Sequence, residues 1–158
     1  MNIFNQVLTQ MQSFNTLKEY LDHGVSAISI EGLSAIHKAH YLNGLAINDR
    51  ISLIVTDTEA HAKRLCDDIN GLCNTTIAEL LPSKEFCFLD VQGISREYET
   101  ARLGTLTKAT TSQIRYVVAG IEAVLQRTIP KQVLFDNTIK LSLGDSISME
   151  EFSKKLVC

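Results

Sequence analysis

The sequence predicts an α/β fold, a three-layer parallel sheet with crossover helices. Three observations carry this. Apolar, β-rich runs at 51–56 (ISLIVT) and 114–119 (IRYVVA), with a shorter one at 76–81, are separated by helical stripes. Such strand–helix alternation is the pattern of parallel strands joined by crossover helices. The two long runs are nearly all apolar, as suits strands covered on both faces. The chain has 158 residues, 45% apolar and 21% charged, which fits one globular domain with a fragment of a second.

Taken in order, residues 3–22 predict one amphipathic helix. Ile3, Phe4, Val7, Leu8, Met11, Phe14, Leu17 and Leu21 recur every three or four positions, and Gly24 ends it. Residues 26–31 (SAISIE) predict a strand broken by Gly32, and 34–47 a helix. After ISLIVT, Asp57 or Thr58 can cap a helix striped by Ala62, Leu65, Cys66, Ile69, Leu72 and Cys73. Pro82 stops the short strand at 76–81. A loop is expected at 83–94, and Ser95 opens a helix to about Thr110. Gly120 turns IRYVVA into a short helix that ends before Pro130.

From Pro130 the pattern changes. Ile139, Leu141 and Leu143 alternate with polar residues, predicting a half-exposed strand. Gly144-Asp145 is a turn signal, and Ser148 with Glu151 forms a capping box before a last helix. That helix reaches Cys158 after about two turns, short for a domain end. The expectation is a first domain over 1–129 and a truncated extension over 130–158, with the native protein continuing further.

The bulk numbers exclude several classes. A net charge of −3 gives no general attraction to nucleic acid. No run approaches the 18 apolar residues of a membrane span, and no basic lead precedes an apolar run at the N-terminus. The cysteines at 66, 73, 87 and 158 lack metal or redox spacing and suit a reduced, cytoplasmic protein.

One stretch carries chemistry. Gly32-Leu33-Ser34-Ala35-Ile36-His37-Lys38-Ala39 follows a predicted strand and opens a predicted helix, the setting of a phosphate loop (G-x-x-x-x-G-K-[ST]). Gly32 and Lys38 are in register. His37 replaces the second glycine, bringing a Cβ and a ring where backbone should wrap phosphate. Ala39 replaces the Ser/Thr whose hydroxyl holds Mg²⁺. Lys38 can still attract an anion, but metal-assisted hydrolysis lacks its ligand. Two of four key positions, read alone, also fit an ordinary helix lysine and a chance glycine. Asp57, ending an apolar strand, looks like a metal-binding aspartate, although a helix cap explains it more simply.

Other candidates have plain explanations. His37 and His40 are neighbours on a helix, and His61 is a third histidine, but no cysteine or carboxylate at ligand spacing joins the first two. No metal site is expected. Cys66 and Cys73 lie on an apolar stripe and read as structural. Arg96, Glu97, Glu99 and Arg102 read as a solvated helix face rather than acid–base groups. Lys154-Lys155 is too short a basic run to imply DNA contact.

Four stretches together resemble the N-terminal region of the bacterial transcription-repair coupling factor family (Mfd). They are ISIEGLSAIHKAHYLNGL at 28–45, ISREYETARLGTLTKA at 94–109, VVAGIEAVLQRTIP at 117–130 and TIKLSLGDSISMEEFSKKL at 138–156. The resemblance implies a RecA-like, UvrB-like first domain with a degenerate phosphate loop and no ATPase of its own. Residues from 130 would begin the family's UvrA-recruiting domain, whose contact surface is not in this chain. Gly32 and Lys38 would be relics, with His37 and Ala39 the inactivating departures. There would be no catalytic residues and no cofactor here. ATP and Mg²⁺ would serve a downstream motor, and UvrA, RNA polymerase and DNA would be partners of the full-length protein. UvrB keeps an intact loop, so the departures favour the coupling factor. The competing expectations are a nucleotide-binding ATPase domain with an unconventional loop and, disfavoured by charge, a nucleic-acid-binding module.

Overall fold

The computed structural model describes residues 3–45, 51–73, 75–83, 96–139 and 141–157. The chain divides into two compact units, Met1–Gln126 and Arg127–Cys158. The expected loop beyond Ser83, Ser95, the helix end at 46–47, Cys87 and Cys158 lie outside the described residues, as does the side chain of Arg96.

The first unit is α/β, as the sequence predicts. Its parallel sheet has the order β1-β3-β2, with β1 at Ser52–Thr56, β2 at Ala78–Leu81 and β3 at Tyr116–Gly120. β3 lies between the other two, and all five of its residues are buried. Ile54, Val118 and Leu80 stand in register across the sheet.

Helices cover both faces. On one, α4 (Glu59–Cys73) presents Ala62, Cys66 and Ile69 to Tyr116 and Val118 of β3. On the other, Leu106 and Ala109 of α5 (Arg96–Thr110) pack with Leu81, Val117 and Ala119. The alternation along β3 sends successive side chains to opposite layers. The expectation of two covered faces holds for β3 and fails for β1. β1 is an edge strand whose Leu53 and Val55 are 55% and 47% exposed, because α5 packs over β2 and β3.

The N-terminal helix expected over 3–22 is broken into α1 (Ile3–Thr9) and α2 (Gln12–Asp22). Asn15 marks the break, donating its side-chain N–H to the Thr9 carbonyl at 3.0 Å. On an unbroken helix Leu8 and Phe14 would point about 120° apart. The break lets both enter one cluster with Leu17 and with Tyr41 of α3 (Ala35–Leu45). At the far end of α2, Val25 and Gly24 donate to the carbonyls of Tyr20 and Leu21, a Schellman closure at the predicted glycine.

The strand expected over 26–31 does not form. Ala27 takes a left-handed φ of 64°, which interrupts extension, and Ile28 packs into the α1–α2–α3 cluster instead. α3 is tied to the sheet by Tyr116, whose hydroxyl donates to the Leu42 carbonyl at 2.6 Å. Burial pushes that phenol up to about 12.

α4 and β2 are locked by one side chain. Asn70 donates to the Ala78 carbonyl at 2.9 Å and accepts from the N–H groups of Ile77 and Ala78 at 2.9 and 3.0 Å. α6 (Ile121–Leu125) follows β3 directly.

In the second unit α7 (Lys131–Asp136) occupies a stretch not expected to be helical. The strand expected over Ile139, Leu141 and Leu143 is absent among the described residues. Asp145 instead accepts from the Ser142 N–H at 2.7 Å in a turn. An isolated alternating run has no ladder to join, and Leu143 is fully exposed. The final helix, α8 (Met149–Val157), follows Ser148 as its pattern predicts, with the Phe152 N–H donating to the Ser148 carbonyl at 2.9 Å.

Replacing Asn70 with alanine removes three hydrogen bonds and leaves backbone groups between α4 and β2 unpaired. The expected loss is about 2–3 kcal/mol, read as a melting temperature lowered by roughly 5–10 °C. An unchanged melting temperature would show that Asn70 does not lock the helix to the strand.

Candidate functional site

The Gly32–Ala39 stretch enters α3 as an irregular segment rather than from a strand. Gly32 has φ 79°, with nothing within 4 Å of where a Cβ would stand, so the chain turns there through a conformation that glycine alone adopts freely. Ser34 is the helix cap, its carbonyl accepting from the Lys38 N–H at 3.0 Å. The Ser34 hydroxyl meets His37 Nδ1 at 3.1 Å. His37 thus stands three residues after the cap, where a capping box places Glu or Gln. Lys38 is exposed on the first turn.

Ala39 is different in kind. It is completely buried in the cluster formed with Ala62, Cys66 and Ile69 of α4. A hydroxyl there would enter the seam between two helices and face no open loop. The four key positions of the motif therefore divide: Gly32, His37 and Lys38 are exposed around the turn, and Ala39 is core.

The carboxyl ends of the strands, where parallel sheets commonly bind ligands, converge on the start of α4. Thr56 Oγ1 donates to the Thr58 carbonyl at 2.8 Å. The cap of α4 is Thr58: its Oγ1 accepts from the His61 N–H at 3.3 Å, and its carbonyl from the Ala62 N–H. Asp57 lies one residue earlier and accepts from the Thr58 N–H at 3.0 Å and from His61 Nδ1 at 2.6 Å. Glu59 accepts from both the N–H and the hydroxyl of Ser83 at 2.6 and 2.5 Å, pinning the exit of β2. A Cβ on Gly120 would come within 2.9 Å of the Glu59 nitrogen, so β3 ends packed against the helix start.

Arg102 corrects the reading of α5 as carrying a solvated face of charges. It is 8% exposed, and its guanidinium donates to the Pro82 and Ala123 carbonyls at 2.9 and 3.0 Å. Thr105 donates to the Leu80 carbonyl at 2.8 Å, and Tyr98 to the Gln126 side chain at 2.6 Å. Tyr98, Arg102 and Thr105 share one helix face. α5 thus docks partly through hydrogen bonds to strand and loop carbonyls, which apolar periodicity does not register. Glu97 and Glu99 are exposed.

Among the described residues no group of three His, Cys, Asp or Glu side chains could hold a metal ion. His37 turns to Ser34 and His61 to Asp57. Cys66 and Cys73 are free thiols, and burial pushes that of Cys66 up to about 11, away from nucleophilic reactivity at neutral pH. Among the described residues no helix is long and apolar enough to cross a membrane.

The hydrogen bond from His61 holds the Asp57 carboxyl below its ordinary 3.8. A depressed carboxyl pKa contributes stability that is present above the unfolded value and lost as pH falls through the folded one. Carboxyl titration by NMR should find Asp57 ionising below 3.8, and His61→Ala should move it upward. A titration indifferent to His61 would show that the pair does not persist in solution.

Comparison with known proteins finds a similarity to a curated protein. The chain is 20% identical over 151 residues to the "Transcription-repair-coupling factor" of Bacillus subtilis (strain 168), covering 95% of this chain and 13% of that protein. No family model and no solved structure matches. The chain is thus similar, along nearly its whole length, to a small part of a transcription-repair-coupling factor.

Proposed function

We propose that this chain is a non-catalytic N-terminal scaffold and regulatory module of a transcription-repair coupling factor. In this reading the full-length protein displaces stalled RNA polymerase and recruits UvrA for nucleotide excision repair. ATP and Mg²⁺ serve its motor, and this module needs neither. Gly32 and Lys38 mark the ancestry of the loop, and His37 and Ala39 its inactivation. The single observation that carries the reading is the similarity to the coupling factor along nearly the whole chain. The loop supports it: the place of the metal-binding hydroxyl is taken by a buried alanine in a helix seam.

A second reading has one observation in its favour. Gly32 has open space around it and Lys38 is exposed in the first turn of the helix that follows, features that suit an anion. It is a nucleotide-binding domain with an unconventional loop.

Hydrolysis separates the two. With Mg²⁺ and ATP the 158-residue chain should release phosphate no faster than buffer. Lys38→Ala should change nothing. Magnesium-dependent turnover that Lys38→Ala abolishes would sink the scaffold reading and install the second.

A further inference from the structure

We propose that the edge of β1 opposite β3 is a self-association surface, and that two copies of this chain pair there into one continuous six-stranded sheet. Among the described residues β1 pairs with β3 and with no strand on its other side. The Ser52 N–H donates to the Arg115 carbonyl on the β3 side at 2.9 Å. By the alternation of a strand, Leu53 and Val55 then turn their N–H and C=O groups to the open edge.

Edge strands are usually blunted by lysine, proline or a bulge. Ser52-Leu53-Ile54-Val55-Thr56 carries no charge and no proline. It also reads almost alike in both directions about Ile54. Antiparallel pairing on a twofold axis through Ile54 sets Leu53 opposite Val55 and Ser52 opposite Thr56. The two Leu53–Val55 positions become the hydrogen-bonded pairs, each exchanging two backbone bonds. Ile54 meets Ile54 as the closer, non-hydrogen-bonded pair. Within Ser52–Thr56 no charge is buried and each apolar side chain meets another.

The area is suited to a second copy. Ile51, Leu53, Val55, Ile121, Val124 and Leu125 lie on β1, its flank and α6, which packs against β1, and are between 37% and 78% exposed. They form an apolar surface on the order of 500 Å², at the upper end of what a monomer leaves open. A stable dimer buries roughly 800 Å² per subunit, and the apolar flank of β1 adds to what the strand edge itself supplies.

Sedimentation of the 158-residue chain over a range of concentrations tests this. The expected result is a dimer that Leu53→Lys and, independently, Val55→Lys convert to a monomer with an unchanged far-ultraviolet spectrum. Both side chains are about half exposed, so the fold should tolerate them. Ile54→Cys should form an intermolecular disulfide on oxidation, since a non-hydrogen-bonded pair brings its Cα atoms to about 4.5 Å, within disulfide reach. A monomer at every concentration would overturn the proposal and leave the edge to another polypeptide. So would a dimer that survives both lysine variants or refuses the Ile54→Cys cross-link.

Discussion

Five consecutive buried residues, Tyr116 to Gly120, hold the first unit together. β3 is hydrogen-bonded on both edges and packed on both faces, so each of its side chains has a fixed destination. Tyr116 and Val118 commit α4 to one layer, and Val117 and Ala119 commit α5 to the other. The Tyr116 hydroxyl reaches further, to the Leu42 carbonyl, and ties α3 to the sheet beside α4. Gly120 ends the strand against the Glu59 backbone, which sets where α4 begins. The position of the phosphate-loop stretch is a consequence, since α3 can lie only where α4 and Tyr116 allow.

That placement explains the split within the motif. The α3–α4 seam needs small residues facing each other, and Ala39 and Ala62 supply them, both without exposed surface. Position 39 is therefore constrained by packing. His37 and Lys38 face solvent and are free of that constraint. His37 now meets the cap residue of its own helix, a local structural use for a side chain that would crowd a phosphate.

Much of this was legible in the sequence because one period dominated each segment. ISLIVT, IRYVVA and the Ala62–Cys73 stripe fall in β1, β3 and α4 within a residue or two. Failures arose where a non-local contact overrode a local pattern. Residues 26–31 read as a strand, yet Ile28 is drawn into a helical cluster and Ala27 turns left-handed. The 3–22 stripe hid a break that serves Leu8 and Phe14 jointly. Arg102 looked like surface because a charged side chain satisfied by carbonyls leaves no trace in hydrophobic periodicity. Asn70 was invisible for the same reason: its three bonds reach backbone seven and eight residues away. At the loop, Gly32 and Lys38 are visible in the motif's spacing, whereas the burial of Ala39 depends on how α3 packs on α4.

Position 39, where a phosphate loop carries its metal-binding hydroxyl, is a core position here, so completing the motif should not create a metal site. The direct measurement is the melting temperature of the His37→Gly, Ala39→Ser double variant with and without Mg²⁺ and ATP. A buried serine without a hydrogen-bond partner should lower stability by about 1–3 kcal/mol. The expected result is a lower melting temperature that Mg²⁺ and ATP leave unchanged. A variant as stable as the parent, whose melting temperature rises with Mg²⁺ and ATP together, would contradict it.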